Sequence, residues 1–242
     1  MDAIIETLAR ELSRDPVQVE NVVRLIDEGN TIPFIARYRK ELHGAMDDTT
    51  LRTLADRLQY LRNLAKRREE VRASIEGQGK LTEELAAALD AAATLAEVED
   101  LYRPYKPKRR TRATMAKEKG LEPLADALSA FGGPVDPAAL AAAYVDPEKG
   151  VETVEDALQG ASDIVAERIS DDAGLRKVLR ALYLRRGTLV SRAAEKEPED
   201  TVYRLYYDFQ APVSRVQGHQ VLAINRGERE GVLPVSVGLD PG

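Results

Sequence analysis

The chain has 242 residues, 43% of them hydrophobic, 5% aromatic and 31% charged, with a formal net charge of −6. That length and apolar content support one large domain or two smaller ones and exclude a disordered tail, and the absence of cysteine excludes disulfides, thiolate metal sites and a cysteine nucleophile. The opening MDAIIETLARELSRD puts acids where a signal peptide needs bases, and no apolar run approaches the ~18 residues of a membrane span, so a cytoplasmic location without membrane contact is expected.

Few aromatics, no tryptophan and an excess of Ala, Leu, Glu and Arg predict a mainly α fold with an aliphatic core. The first helix runs from Asp2 to about Leu12, with Ile4, Ile5, Leu8 and Leu12 on one face. Asp15 followed by Pro16 is a cap and first-turn pair that opens a second helix through Val19, Val22, Val23 and Ile26, stopping at Gly29. In NTIPFIARYRKELHG, Pro33 begins a short helix carrying Phe34, Ile35 and Tyr38, all three expected inside, with His43 and Gly44 at its end. Asp47 or Asp48 caps a long helix to about Glu76, with Leu51, Leu54, Leu58, Leu61, Val71 and Ile75 along one side. At ~1.5 Å per residue it extends roughly 43 Å, a spine for its surroundings.

Gly77 to Lys80 is a clear break. Thr82 then opens an Ala-rich helix, and Thr94 with Glu97 fits a capping box for Leu95 to Tyr102. Glu122 and Pro123 start another helix, FGGPVDP is a loop, and Pro137 to Tyr144 is helical. Thr153 with Asp156 opens a longer helix through Ala157, Ile164, Val165 and Ile169. Asp171 or Asp172 caps the next, which carries Leu175, Val178, Leu179, Leu182 and Tyr183 and stops at Gly187. Beyond it TLV and VLPVSVGL read as short strands, the latter without a visible partner, as in a piece of a longer protein. These breaks predict a helical part over 1–77 that ends in the long helix, a helical part over 78–200, and a mixed α/β part over 201–242.

Charge is uneven. Between Leu101 and Leu121, LYRPYKPKRRTRATMAKEKGL, eight residues are basic and only Glu118 is acidic, which leaves −13 for the rest of the chain. Pro104 and Pro107 favour polyproline II, with three residues per turn. In that conformation Arg103, Lys106, Arg109 and Arg112 would share one face about 9 Å apart, and Tyr102, Tyr105 and Lys108 a second. Two roles are open. The segment is a strip that tracks phosphates through Arg103, Lys106, Lys108, Arg109, Arg110, Arg112, Lys117 and Lys119, or a strap whose tyrosines pack inward and whose cations pair with neighbouring acids. Arg37, Arg39 and Lys40 are a second candidate, on a helix that a helix-turn-helix reader would expose.

Asp47 with Asp48 and Asp171 with Asp172 could hold Mg²⁺, yet both pairs stand where helix caps are wanted. His43 and His219 lack metal-ligand spacing, no Walker or dinucleotide loop is present, and NRGEREGVL, Asn225 to Leu233, reads as a turn before the last strand. Neither a cofactor nor a small-molecule substrate is expected.

NTIPFIARYRKE at Asn30 to Glu41, VEDLYRPYKPKRRTRATMAKEKGLEPLA at Val98 to Ala125 and VLAINRGEREGVL at Val221 to Leu233, taken together and in this order, resemble the Tex family of bacterial transcription accessory proteins. HGAMDD, His43 to Asp48, departs from the family's wording but keeps a turn glycine and capping acids. The resemblance implies the N-terminal, mainly helical region of a larger nucleic-acid-binding transcription factor, with a helix-turn-helix-like part within 1–77, followed in the family by RuvC-like, helix-hairpin-helix and OB-fold modules. It carries no catalytic residues onto these positions. The expectation is therefore a non-enzymatic scaffold with an auxiliary phosphate contact; the alternative is a module that docks on the transcription machinery without touching RNA or DNA.

Overall fold

The computed structural model describes residues 3–107, 110–130, 136–194 and 201–239. It divides into two units, Met1–Tyr105 and Lys106–Gly242, so the division falls inside the basic stretch and the break at GQGK lies within the first unit.

The first unit is helical throughout: α1 (Ala3–Leu12), α2 (Pro16–Asp27), α3 (Ile32–Tyr38), α4 (Lys40–His43), α5 (Asp48–Glu76), α6 (Glu83–Ala91) and α7 (Leu95–Tyr102). Local chemistry sets the helix starts. The carboxylates of Asp15 and Asp47 accept hydrogen bonds from the amides of Val17 (2.8 Å) and Thr50 (2.7 Å), and the hydroxyls of Thr82 and Thr94 accept from Leu85 and Glu97. The chain reverses after α4 through Gly44, which is left-handed at φ 60°.

Leu51, Leu54, Leu58, Leu64, Val71 and Ile75 of α5 are buried with Leu8, Val19, Val22, Ile35, Leu89 and Val98 of the helices around it, so the 29-residue α5 is the axis of this core. Each fully buried aliphatic side chain contributes about 1.5–3 kcal/mol.

Two bidentate ion pairs fasten neighbouring helices to α5. Arg57 donates to Glu11 at 2.6 and 2.7 Å, and Arg62 to Asp27 at 2.7 and 2.8 Å. These hydrogen bonds are the main reason that both carboxyls lie below the ordinary carboxylate range. A depressed folded-state pKa adds stability above the unfolded-state value and loses it as pH falls through the folded value. With side chains a third to a half exposed, each pair contributes about 0.2–1 kcal/mol. Urea unfolding of a Glu11→Gln, Asp27→Asn variant is expected to show a lower midpoint than the unmodified chain at neutral pH. The gap closes as pH drops below about 4.

The second unit has a helical part and a mixed part. Its elements are α8 (Arg112–Glu118), α9 (Glu122–Ser129), α10 (Pro137–Ala142), α11 (Val154–Asp171), α12 (Ala173–Arg186), β1 (Gly187–Arg192), β2 (Asp208–Pro212), α13 (Gly218–Arg229) and β3 (Val235–Leu239). Thr153 and Asp156 close a reciprocal capping box at the start of α11. Ala157, Ala161 and Ile164 of α11 are buried with Ala113 and Ala116 of α8, Leu121, and Leu124 and Ala125 of α9. Small residues let the helices approach closely. A Cβ at Gly160 would lie 2.4 Å from Leu121 Cδ1 and 3.3 Å from Ala116 Cβ.

The three strands form an antiparallel sheet in the order β2-β1-β3, with Leu189 opposite both Ala211 and Val237. Two expectations are corrected here. The final strand does have a partner, β1, separated from it by some forty residues of sequence. Asn225 to Arg229 are not a turn but the end of α13, where Gly227 is buried: a Cβ there would lie 2.6 Å from Leu233 Cδ1 and 3.2 Å from Tyr203 Cδ1. The loop over 131–135 lies outside the described residues.

Candidate nucleic-acid interface

Among the described residues, neither the start nor the end of the basic stretch adopts polyproline II. Arg103–Tyr105 form a 3-10 turn directly after α7, and Arg112 begins α8. Proline's fixed φ suits a helical first turn as well as polyproline II, so Pro104 continues the turn rather than extending the chain. The conformation on which the threefold spacing rested is therefore absent at Arg103 and at Arg112. Helix α8 escaped the sequence reading because its apolar side is made only of alanines, Ala113 and Ala116, each 3% exposed. Its start is set by Thr111, whose hydroxyl accepts from the Thr114 amide at 3.0 Å and lies 3.0 Å from Glu167 Oε1 as donor.

The tyrosines turn inward. Tyr102 and Tyr105 are packed against the first unit's core, the Tyr102 hydroxyl is 2.9 Å from that of Ser74, the Arg67 guanidinium lies 5.5 Å from the Tyr102 ring centroid, and Gln78 donates to the Tyr105 carbonyl at 3.0 Å. Arg103 is exposed at the end of that unit, and Lys106 is half-buried at the beginning of the next.

Within the second unit the cations meet carboxylates and stay in solvent. Arg110 donates to Glu118 at 2.7 Å with 69% of its side chain exposed, and Arg112 is 3.7 Å from Asp163 with 79% exposed. Lys117 is 3.7 Å from Glu122, a carboxylate that Arg168 also holds at 3.0 Å. Lys119 donates to the Gly150 carbonyl at 2.7 Å. Lys108 and Arg109 lie outside the described residues. The segment is paired yet exposed, a combination that neither a buried strap nor an aligned strip describes.

The second candidate differs from its expected form. Helix α3 is anchored by Ile32, Ile35 and Ala36, with Ile35 fully buried, and this phase turns Phe34 and Tyr38 to solvent at 37% and 56% exposure. Both had been expected inside. The helix breaks at Arg39 (φ −131°), which separates α3 from α4. Phe34 and Tyr38 lie one turn apart with ring centroids at 5.2 Å and ring planes tilted by 46°. Arg39 lies 5.5 Å from the Phe34 centroid and Arg37 6.0 Å from that of Tyr38. Lys40 is exposed beside them, and none of the three cations is in an ion pair among the described residues.

The acidic pairs serve as caps. Asp47 accepts from Thr50 at the start of α5 and Asp172 from Leu175 at the start of α12, while Asp48 pairs with Arg52 at 2.6 Å. Among the described residues no three His, Asp or Glu side chains gather as a metal site. His43 is fully buried with neither ring nitrogen hydrogen bonded, and His219 is exposed. No helix among the described residues is long and apolar enough to cross a membrane.

Comparison with known families agrees with the first and third quoted stretches, and the middle one, Val98 to Ala125, lies between the two matched regions. Residues 2–76 match the profile described as the Tex-like protein N-terminal domain, and residues 134–241 match that described as Tex central region-like. The chain belongs to the Tex family. It is 48% identical over 238 residues to the protein tex of Bordetella pertussis, covering 98% of this chain and 30% of that protein. It is 44% identical over 239 residues to the transcriptional accessory protein Tex of Neisseria gonorrhoeae, covering 98% and 31% respectively. A more distant relative, the human S1 RNA-binding domain-containing protein 1, is 32% identical over 248 residues, covering 99% of this chain and 24% of that protein. The chain thus spans about a third of the length of the bacterial relatives.

One feature of this Tex chain was missed at the sequence level. Helix α12 has no buried residue, and its Leu175, Val178 and Leu179 are 45%, 65% and 48% exposed. Their i, i+3, i+4 spacing signals an apolar stripe, but spacing does not reveal whether a partner lies within the same chain.

Proposed function

We propose that this chain is a non-enzymatic scaffold region of a Tex-like transcription accessory factor, and that the second unit's basic segment gives it an auxiliary contact to the phosphate backbone of RNA or DNA. The observation that carries this reading is the exposure of Arg110 and Arg112 in spite of their pairing. Exposed ion pairs contribute only about 0–1 kcal/mol, so a phosphate can replace Glu118 or Asp163 at little cost. A guanidinium also binds phosphate through two parallel hydrogen bonds, which lysine does not. Lys117, sharing Glu122 with Arg168, and Lys119 add charge along the same segment. The names of two relatives, a transcriptional accessory protein and an S1 RNA-binding domain-containing protein, fit this assignment.

A second reading, docking on the transcription machinery without nucleic acid, is favoured by the exposed apolar stripe of α12. Pull-down after nuclease digestion separates the two, because only docking survives it. For the leading reading, the test is an Arg110→Glu, Arg112→Glu variant titrated against labelled RNA and DNA. Each lost phosphate contact removes about one counterion-release step, so affinity is expected to fall roughly tenfold with a flatter salt dependence. Unchanged affinity and slope would rule the segment out.

A further inference from the structure

We propose that the outer face of α3 is a stacking platform for unpaired bases of single-stranded nucleic acid, with Phe34 and Tyr38 receiving the bases and Arg37, Arg39 and Lys40 holding the adjoining phosphates. The proposal rests on the nucleic-acid association above and adds a ligand class and a second site, in the first unit.

Burying the aromatic rings within the core would be the ordinary outcome for a helix this close to α5. Instead Ile32, Ile35 and Ala36 use the inward face, and two rings are left outside, 5.2 Å apart. Arginines border both rings at 5.5 and 6.0 Å, and stacked guanidinium and aromatic groups are the pair that single-strand binders use to accept a base of any sequence. The charge is complementary: Asn30 to Glu41 holds three cations against the acid Glu41, and none of the three cations is in an ion pair among the described residues. Among the described residues Arg39 donates only to the Tyr38 carbonyl, at 3.3 Å, which leaves most of its donors for a phosphate.

Single strands fit this face better than a duplex does. At seven residues α3 is about 10 Å long and ends at the Arg39 break, so it presents under two turns to a groove. Two of its exposed side chains are aromatic rings, with Arg37 as the one other hydrogen-bonding side chain exposed on the helix, whereas groove readers place several hydrogen-bonding groups against base edges. Rings of this kind meet unstacked bases directly, whereas a duplex would first have to unstack a base step at a cost of about a few kcal/mol.

The test uses the 242-residue chain with fluorescein-labelled oligouridylate, oligothymidylate and a duplex of equal length, read by anisotropy over a salt series. The unmodified chain is expected to prefer both single strands to the duplex; preference for one of them assigns RNA or DNA. Phe34→Ala with Tyr38→Ala, helical content being unchanged by circular dichroism, is expected to weaken single-strand binding about tenfold or more. The salt slope should stay as it was, because the rings are uncharged. Phe34→Tyr with Tyr38→Phe keeps both rings and should keep the affinity. The chain has no tryptophan, so Tyr38→Trp supplies a single reporter, expected to be quenched by single strands and not by the duplex. Full affinity in the double alanine variant, or an unquenched reporter, overturns the platform. If Arg110→Glu with Arg112→Glu abolishes binding while the double alanine variant binds normally, the platform alone falls. Absence of binding by the unmodified chain overturns the platform and the basic-segment reading together.

Discussion

Gly160→Leu is expected to destabilise the second unit by about 3 kcal/mol, the upper end of the overpacking range, and to lower its melting temperature by about 10 °C. Gly160 lies in the middle of α11 where α8 and the segment leading to α9 cross it, and a Cβ alone would come within 2.4 Å of Leu121 Cδ1. Leu121 is 1% exposed and has no solvent to retreat into. Ala116 closes the other side at 3.3 Å, so a leucine there forces the helices apart along the contact that buries Ala113, Ala116, Ala157 and Ala161. A paired substitution sharpens the test. Leu121→Ala in the Gly160→Leu background frees volume beside the new side chain, so the two losses are expected to be less than additive. A Gly160→Leu protein that melts within about 2 °C of the unmodified chain would show that this close crossing does not exist.

Leu54→Ala is the second large effect. Leu54 is fully buried on α5 between Leu51 and Leu58, in the cluster that also holds Leu8, Val22 and Ile35. Removing three carbons from such a site costs about 2–5 kcal/mol, as lost transfer energy plus the cavity left behind. Chemical denaturation followed by circular dichroism is expected to show the first unit unfolding at markedly lower urea. Thr53→Ala, on the exposed side of the same turn, provides the control and should stay within about 0.5 kcal/mol. Equal midpoints for the two variants would mean that α5 is not the axis of the core.

How far the sequence reached differs from one element to the next, for physical reasons. α5 was legible from end to end because Asp47 caps it, leucines recur along one side and glycines follow Glu76, all of which are local signals. The antiparallel pairing of β1 with β3 was not, because register depends on segments far apart in the chain. α8 was hidden by its own composition: prolines before it, cations along it, and an inward side of alanines too small to register as an apolar stripe.

The candidate sites show the same division. Which residues were basic was plain; how they would be presented was not. Counting apolar residues put Phe34 and Tyr38 inside, whereas following the 3.6-residue phase set by Ile32, Ile35 and Ala36 puts them outside. A threefold spacing made Arg103 to Arg112 look like a strip, yet spacing has meaning only within the backbone conformation assumed for it. The 3-10 turn at Arg103 and the helix at Arg112 remove that conformation at both ends of the span. The charges themselves, exposed and weakly held, remain.

The most direct measurement of the central claim is the salt dependence of binding by the unmodified 242-residue chain to a single-stranded RNA. If exposed cations touch phosphates, log K falls linearly with log salt, and three to five contacts give a slope of about −2 to −3.5. A chain that at low salt binds neither this RNA nor a single-stranded DNA of equal length, or binds with a flat slope, contradicts the account.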